Sequence, residues 1–223
     1  MISKEQKFIF VHNFKTGGTS IEKKLGHFDE LKTDVQDHRT LSEIEALSDR
    51  GQHFRKCLHA FRKGKANRSV FWLRTAIWPE LSRKEFDSFY KFTFVRNSWS
   101  RMYSWYANVM KDPHMRAIYK IDDDNYSYLK FLQEKVDHSS FSQLHFIKNR
   151  NGNVNMDFIG RFERLQEDFN VVATHLGIED SELPTLLMRK YGHYSDNYDE
   201  RTKDLIGELY KEEIDYFGFE FGE

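Results

Sequence analysis

The chain has 223 residues, with 34 lysines and arginines against 35 aspartates and glutamates and a net charge of −1. That length holds one α/β domain with a full core and is short for two, so residues 1–223 read as a single domain. The charge balance argues against a strongly basic nucleic-acid binder, and the single cysteine, Cys57, leaves no internal disulfide to form.

Phe8-Ile9-Phe10-Val11 is a short apolar run of the kind that makes a buried strand. The chain then turns through Lys15-Thr16-Gly17-Gly18-Thr19-Ser20 into a helical pattern from about Thr19 to Leu25. Two glycines let the backbone come close to a ligand, and a helix that starts there aims free N–H groups at the same point, where they favour an anion. Lys15 adds a full positive charge; Thr16, Thr19 and Ser20 add hydroxyl donors. Strand, basic Gly-Gly turn and helix together predict a phosphate-binding turn. It is not the nucleoside-triphosphate motif, in which the Lys follows the second Gly, because Lys15 precedes the pair. The alternative is a Gly-rich turn with a solvated lysine.

Thr40 to Leu47 reads as a helix with Leu41, Ile44 and Leu47 on one face. The stretch from Gln52 to Arg83 is basic through Arg55, Lys56, Arg62, Lys63, Lys65 and Arg68, then apolar through Val70-Phe71-Trp72-Leu73 and Ile77-Trp78. It fits a lid, an acceptor-binding insertion or a helix pair on the rim. Phe92 to Val95 is a second buried strand, followed by Arg96-Asn97-Ser98-Trp99-Ser100 and a helix to about Met110 that Asp112-Pro113 ends. Arg96 leaves the strand, and Ser104 lies two turns into the helix on a face Arg96 can share. Arginine grips phosphate in a two-pronged way that lysine cannot. The acidic run Asp122-Asp123-Asp124 precedes a helix over Tyr126 to Val136 and reads as a solvated cap. Phe158 to Phe162 is a third strand, Leu165 to Leu176 a helix stopped by Gly177, and Asp199 to Phe217 one long amphipathic helix with Leu205, Ile206, Leu209, Tyr210 and Ile214 buried. Strands alternating with helices imply a mainly parallel sheet with helices on both sides. In such folds ligands sit at the carboxyl ends of the strands, where the loops 12–20 and 96–104 emerge.

Four segments carry a family resemblance: K-T-G-G-T-S at 15–20, F-T-F-V-R-N at 92–97 with Ser104, D-F-I-G-R-F-E-R-L-Q-E-D-F at 157–169, and Y-S-D-N-Y-D-E at 194–200 with F-G-F-E-F at 217–221. In order and span they resemble the carbohydrate (Golgi-type and bacterial) sulfotransferases, which use 3′-phosphoadenosine 5′-phosphosulfate. The resemblance implies a P-loop nucleotide hydrolase-like three-layer fold, with Lys15, Thr16, Gly17, Gly18, Thr19 and Ser20 on the 5′-phosphosulfate, and Arg96 and Ser104 on the 3′-phosphate. It also implies a basic loop over the nucleotide at Arg189-Lys190-Tyr191. Where the family continues V-R-N-P-W-D-R, Ser98 here replaces the proline and Ser100 the aspartate.

Sulfuryl transfer builds negative charge on a leaving phosphate oxygen, which donors and a cation must meet; Lys15 and the Gly-Gly N–H groups suit that task. No metal is expected, since the histidines are scattered without metal-site spacing. The acceptor hydroxyl needs a general base. His38 in D-H-R-T-L-S-E-I is the first choice, with His12 and His59 as rivals and a surface histidine at a helix cap as the alternative. The expected acceptor is a carbohydrate or another hydroxyl compound, its surface built by 52–83. No apolar leader or membrane-spanning run stands in the sequence, so the expectation is a cytoplasmic protein with no stable membrane insertion. Two other classes stay open: a P-loop small-molecule kinase using ATP, and a binding module that keeps the fold without catalysis.

Overall fold

The structure, a computed structural model, describes residues 1–31, 35–186 and 192–223. Four strands, β1 (Ile2–Ser3), β2 (Phe8–Val11), β3 (Tyr90–Val95) and β4 (Phe158–Arg161), stand side by side in that order. β2, β3 and β4 run parallel, and β1 pairs antiparallel to β2 at the edge. The helices are α1 (Gly18–Lys24), α2 (Leu41–Leu47), α3 (Arg50–Arg62), α4 (Ala66–Ile77), α5 (Arg83–Ser88), α6 (Ser98–Lys111), α7 (Pro113–Tyr119), α8 (Tyr128–Glu134), α9 (His138–Phe141), α10 (Gln143–Ile147), α11 (Leu165–Leu176), α12 (Glu200–Leu209) and α13 (Lys211–Phe217).

Alternation along β2 divides the core. Phe8 and Phe10, with Phe92 and Phe94 of β3, pack against Ile21 of α1 and Phe169 and Val172 of α11. Ile9 and Val11 point the other way, onto Leu41 and Ile44 of α2, Phe86 of α5 and Leu144 and Ile147 of α10. Side chains of period two can bury both faces only when helices cover both. This is the three-layer α/β arrangement that the strand–helix alternation implies. A third cluster lies around α6, where Trp99, Met102 and Val109 meet Phe131 of α8, Ile206 and Tyr210.

Several expectations need correction. The 199–217 helix is two helices, broken at Tyr210 (φ −111°, ψ 20°). Polar anchors flank the break: the Tyr210 hydroxyl bonds His138 Nδ1 at 2.8 Å, and Glu213 is drawn under α6. Leu209, expected inside, is left 43% exposed. The two-residue strand β1 is too short to carry a pattern. The 52–83 stretch resolves into α3 and α4, an antiparallel hairpin, and the start of α5. Ser82 and Thr40 begin α5 and α2 with full capping boxes to Glu85 and Glu43.

Candidate active site

Because β2 and β3 are adjacent and parallel, the loops at their carboxyl ends emerge side by side. The first loop is tied down from below. Asn13 Nδ2 donates to Thr93 Oγ1 (3.0 Å) and to the Phe94 carbonyl (3.1 Å), and the Thr16 hydroxyl donates to the Asn13 carbonyl (2.9 Å). Thr16 is fully buried, so its hydroxyl serves the loop itself rather than the space beyond it. Lys15 stands at φ 65° and Gly17 at φ 80°. The left-handed region is uncommon for a residue with a Cβ, and its use at Lys15 marks a turn whose shape the surroundings impose.

The glycines have an internal reason as well. A Cβ on Gly17 would come within 2.6 Å of Leu165 Cδ2, and one on Gly18 within 2.0 Å of the His12 ring. The pair therefore lets α1 start flush against His12 and α11; room for a ligand is not what the packing alone demands. Thr19 is half-buried and Ser20 buried on the first turn of α1, whose start no side chain caps.

Arg96 leaves β3 and reaches back to the first loop. Its Nη1 donates to the Lys15 carbonyl at 3.3 Å, its Nε donates to Ser100 Oγ at 3.0 Å, and its guanidinium lies 4.1 Å over the Phe162 ring. Ser104 is buried one turn beyond Ser100 on the same face of α6. Ser100, one turn before Ser104, touches Arg96 directly. An arginine spaced four residues before a serine on a helix start is the signal that could have found it.

The backbone around Arg96 is gripped from three sides. Gln143, fully buried, accepts from the Arg96 N–H (2.8 Å) and donates to its carbonyl (2.9 Å), as a neighbouring strand would. Glu163 accepts from the Asn97 N–H (2.9 Å), and Asn97 donates to the Glu220 carbonyl (2.7 Å) while its Oδ1 caps α6. Beneath lies Glu213. It accepts from Ser98, from the Gln143 backbone and side chain, and from Arg101 at 3.2 Å, both members of the ion pair being 1% exposed. The four segments that carry the sequence resemblance converge here: Lys15 of the first, Arg96 and Asn97 of the second, Phe162 and Glu163 of the third, Glu220 of the fourth.

His38 sits against this site, its ring 4.1 Å from Phe14 and 4.2 Å from His12, centroid to centroid. Nδ1 lies 3.2 Å from the His12 carbonyl. A carbonyl only accepts, so Nδ1 carries the proton and Nε2 keeps its lone pair. That Nε2 is 3.1 Å from the Gln36 amide, which donates to it when the amide is turned nitrogen-first. Burial, followed by the charge of His12, pushes the imidazole down to about 4. Asp37 does not orient it: that carboxylate is taken by Arg39 (2.7 Å) and by the amino group of Met1 (2.9 Å). Burial would raise Asp37, and these two partners outweigh it, holding it below its ordinary value. His12 is buried beside Glu22 (3.1 Å) and against Gly18. His59 lies away on the α3–α4 hairpin. Arg189 and Lys190 lie outside the described residues. Among the described residues, no group of three or more His, Cys, Asp or Glu could hold a metal ion, and no helix is long and apolar enough to cross a membrane.

The sequence model of the Sulfotransferase family matches residues 1–220. The chain belongs to that family. No curated protein and no solved structure matches it. The family is P-loop-like in fold, in keeping with the parallel β2–β3–β4 core, and its members move a sulfuryl group to a hydroxyl-bearing acceptor.

Proposed function

We propose that this sulfotransferase moves the sulfuryl group of 3′-phosphoadenosine 5′-phosphosulfate to a carbohydrate hydroxyl. The observation that carries the reading is the direct contact between the two basic loops, Arg96 Nη1 on the Lys15 carbonyl at 3.3 Å. Cations from neighbouring strand ends at one sheet edge suit a nucleotide with phosphates at two places. The residues present fit such a donor: a lysine in a strained turn, an uncapped helix start, and an arginine held flat over Phe162 with its backbone locked. When bound, the nucleotide supplies the sulfuryl group and departs as the desulfated form.

The protein's own groups divide the work. Lys15 and the N–H groups of residues 17–20 meet the charge that grows on the leaving phosphate oxygen. Arg96, with Ser100 and Ser104 on the same helix face, holds the 3′-phosphate and so sets the register of the nucleotide. His38 Nε2 takes the acceptor proton as the acceptor oxygen bonds to sulfur. With its conjugate acid near 4, His38 is neutral at physiological pH and ready to accept. No metal enters this scheme, and the protein is read as acting in the cytoplasm.

The test pairs binding with turnover. 3′-Phosphoadenosine 5′-phosphate should raise the melting temperature in proportion to its affinity, and Lys15→Ala should abolish sulfation across a panel of saccharides. An unchanged melting temperature at millimolar nucleotide, or full activity of Lys15→Ala, contradicts the proposal. Protection by magnesium-ATP alone would point to a kinase instead.

A further inference from the structure

The α3–α4 hairpin is unlike the rest of the chain. From Arg50 to Trp78 it holds eight lysines and arginines and not one carboxylate, in a protein whose net charge is −1. The two helices pack chiefly against each other along a seam of small side chains, Cys57 and Ala60 against Ser69 and Ala76. Arg50 ties the base, with Nε on the Ala76 carbonyl at 2.7 Å. Three-residue and four-residue steps from that seam place Phe54, Leu58 and Phe61 about 100° round α3, and Val70, Leu73 and Ile77 about 100° round α4. Since the helices run antiparallel, the two stripes share one side of the hairpin. All six side chains are exposed, Phe61 by 73%. The opposite side is a cleft of about 420 Å³ lined by Lys56, Lys63, Lys65 and Arg68 around Trp72. Trp78, 71% exposed, closes the base.

A continuous apolar face of this kind is not a neutral feature of a water-soluble surface. Its rim says what covers it. Arg62 and Arg74 flank the stripes, both exposed, and no carboxylate stands among them. A second copy docking on this face by twofold symmetry would set arginine against arginine. An anionic bilayer meets both properties at once, because apolar side chains enter the headgroup boundary while long cationic ones extend to the phosphates. The remainder of the chain is net acidic by difference, so the hairpin carries an excess of positive charge that the chain as a whole lacks.

We infer that the α3–α4 hairpin docks this protein peripherally on an anionic phospholipid surface, through Phe54, Leu58, Phe61, Val70, Leu73 and Ile77 with Arg62 and Arg74 at the headgroups. The inference does not depend on the sulfuryl-transfer reading, and its test uses no nucleotide. The full chain is sedimented with vesicles of phosphatidylcholine and phosphatidylglycerol in a two-to-one ratio, and with phosphatidylcholine alone. Binding to the mixed vesicles at least about tenfold above the neutral ones is expected, with a blue shift in tryptophan emission that Trp78→Phe removes. Leu58→Asp with Phe61→Asp, and separately Arg62→Ala with Arg74→Ala, should each lower that binding about tenfold. The second pair is exposed and keeps the test informative should the first fail to fold.

Equal or absent binding to the two vesicles overturns the inference. So does binding that resists the aspartates and yields only to salt, which would mark a cationic site for a soluble polyanion. A concentration-dependent dimer without vesicles, dissolved by the same aspartates, would assign the face to a second copy and also overturn it.

Discussion

At the carboxyl edge of the sheet, buried polar groups bond one another around Gln143 and Glu213; on the α3–α4 hairpin, apolar groups are exposed and residues 50–78 carry cations with no carboxylate of their own. The two regions are built in opposite ways. Glu213 alone ties Ser98, Arg101, Ser142 and Gln143 together, and Gln143 in turn fixes the Arg96 backbone. Such a network holds one geometry because any loosening strands a buried charge. The hairpin has little to lose: each of its helices leans on the other, and its surface residues touch few neighbours. The two-phosphate site proposed above would need the first kind of construction, and the proposed docking on a soft surface only the second.

The largest difference between the two regions is expected at Glu213. Glu213→Ala leaves Arg101 buried without its counter-charge and should cost about 3–5 kcal/mol in urea unfolding, whereas Phe61→Ser on the hairpin should stay within about 0.5 kcal/mol. Equal effects would mean that the buried network does not hold the edge together. Gly18→Ala comes next. Its Cβ must displace the His12 ring, so a loss of about 1–3 kcal/mol is expected, read as a lower denaturation midpoint together with weakened nucleotide protection.

A third effect, spread over a pH range rather than set by one substitution, is in pH. His38 titrates near 4 in the folded protein against an ordinary 6.5. Between those values the unfolded chain binds the extra proton, so stability is complete above about pH 6.5 and falls as pH drops toward 4. The full span is worth up to about 3 kcal/mol. Glu22 and Asp37 are held below their ordinary values, so their contributions are lost only at more acid pH. Thermal melts from pH 7 to 5 should therefore decline in the wild type and stay flat in His38→Gln. A parallel decline in both would remove His38 from the account.

Much of this was legible in the sequence because it rests on local pattern. The apolar runs at 8–11 and 92–95 had to be strands, and α11 ends at Gly177 as its left-handed φ of 70° demands. The basic turn and Arg96 announced themselves by residue type. Other parts are set by contacts far apart in the chain. Gln143 stands 47 residues from Arg96, and nothing near it in sequence says that its amide completes a strand end. Glu213 reads as one more charge on an amphipathic helix until the break at Tyr210 and its burial beneath α6 are seen. The hairpin's basic and apolar residues were plain, but their sorting onto opposite sides appears only once the two helices are known to run antiparallel.

On the proposed reading, the Lys15 and Arg96 loops grip one nucleotide at its two ends. Calorimetric titration with 3′-phosphoadenosine 5′-phosphate and with adenosine 5′-phosphate tests it most directly. The wild type should favour the 3′-phosphorylated compound by at least about tenfold, the worth of one charge-assisted contact. Lys15→Ala should weaken both while keeping the preference, and Arg96→Ala should erase the preference. A preference that survives Arg96→Ala would place the 3′-phosphate elsewhere and contradict the account.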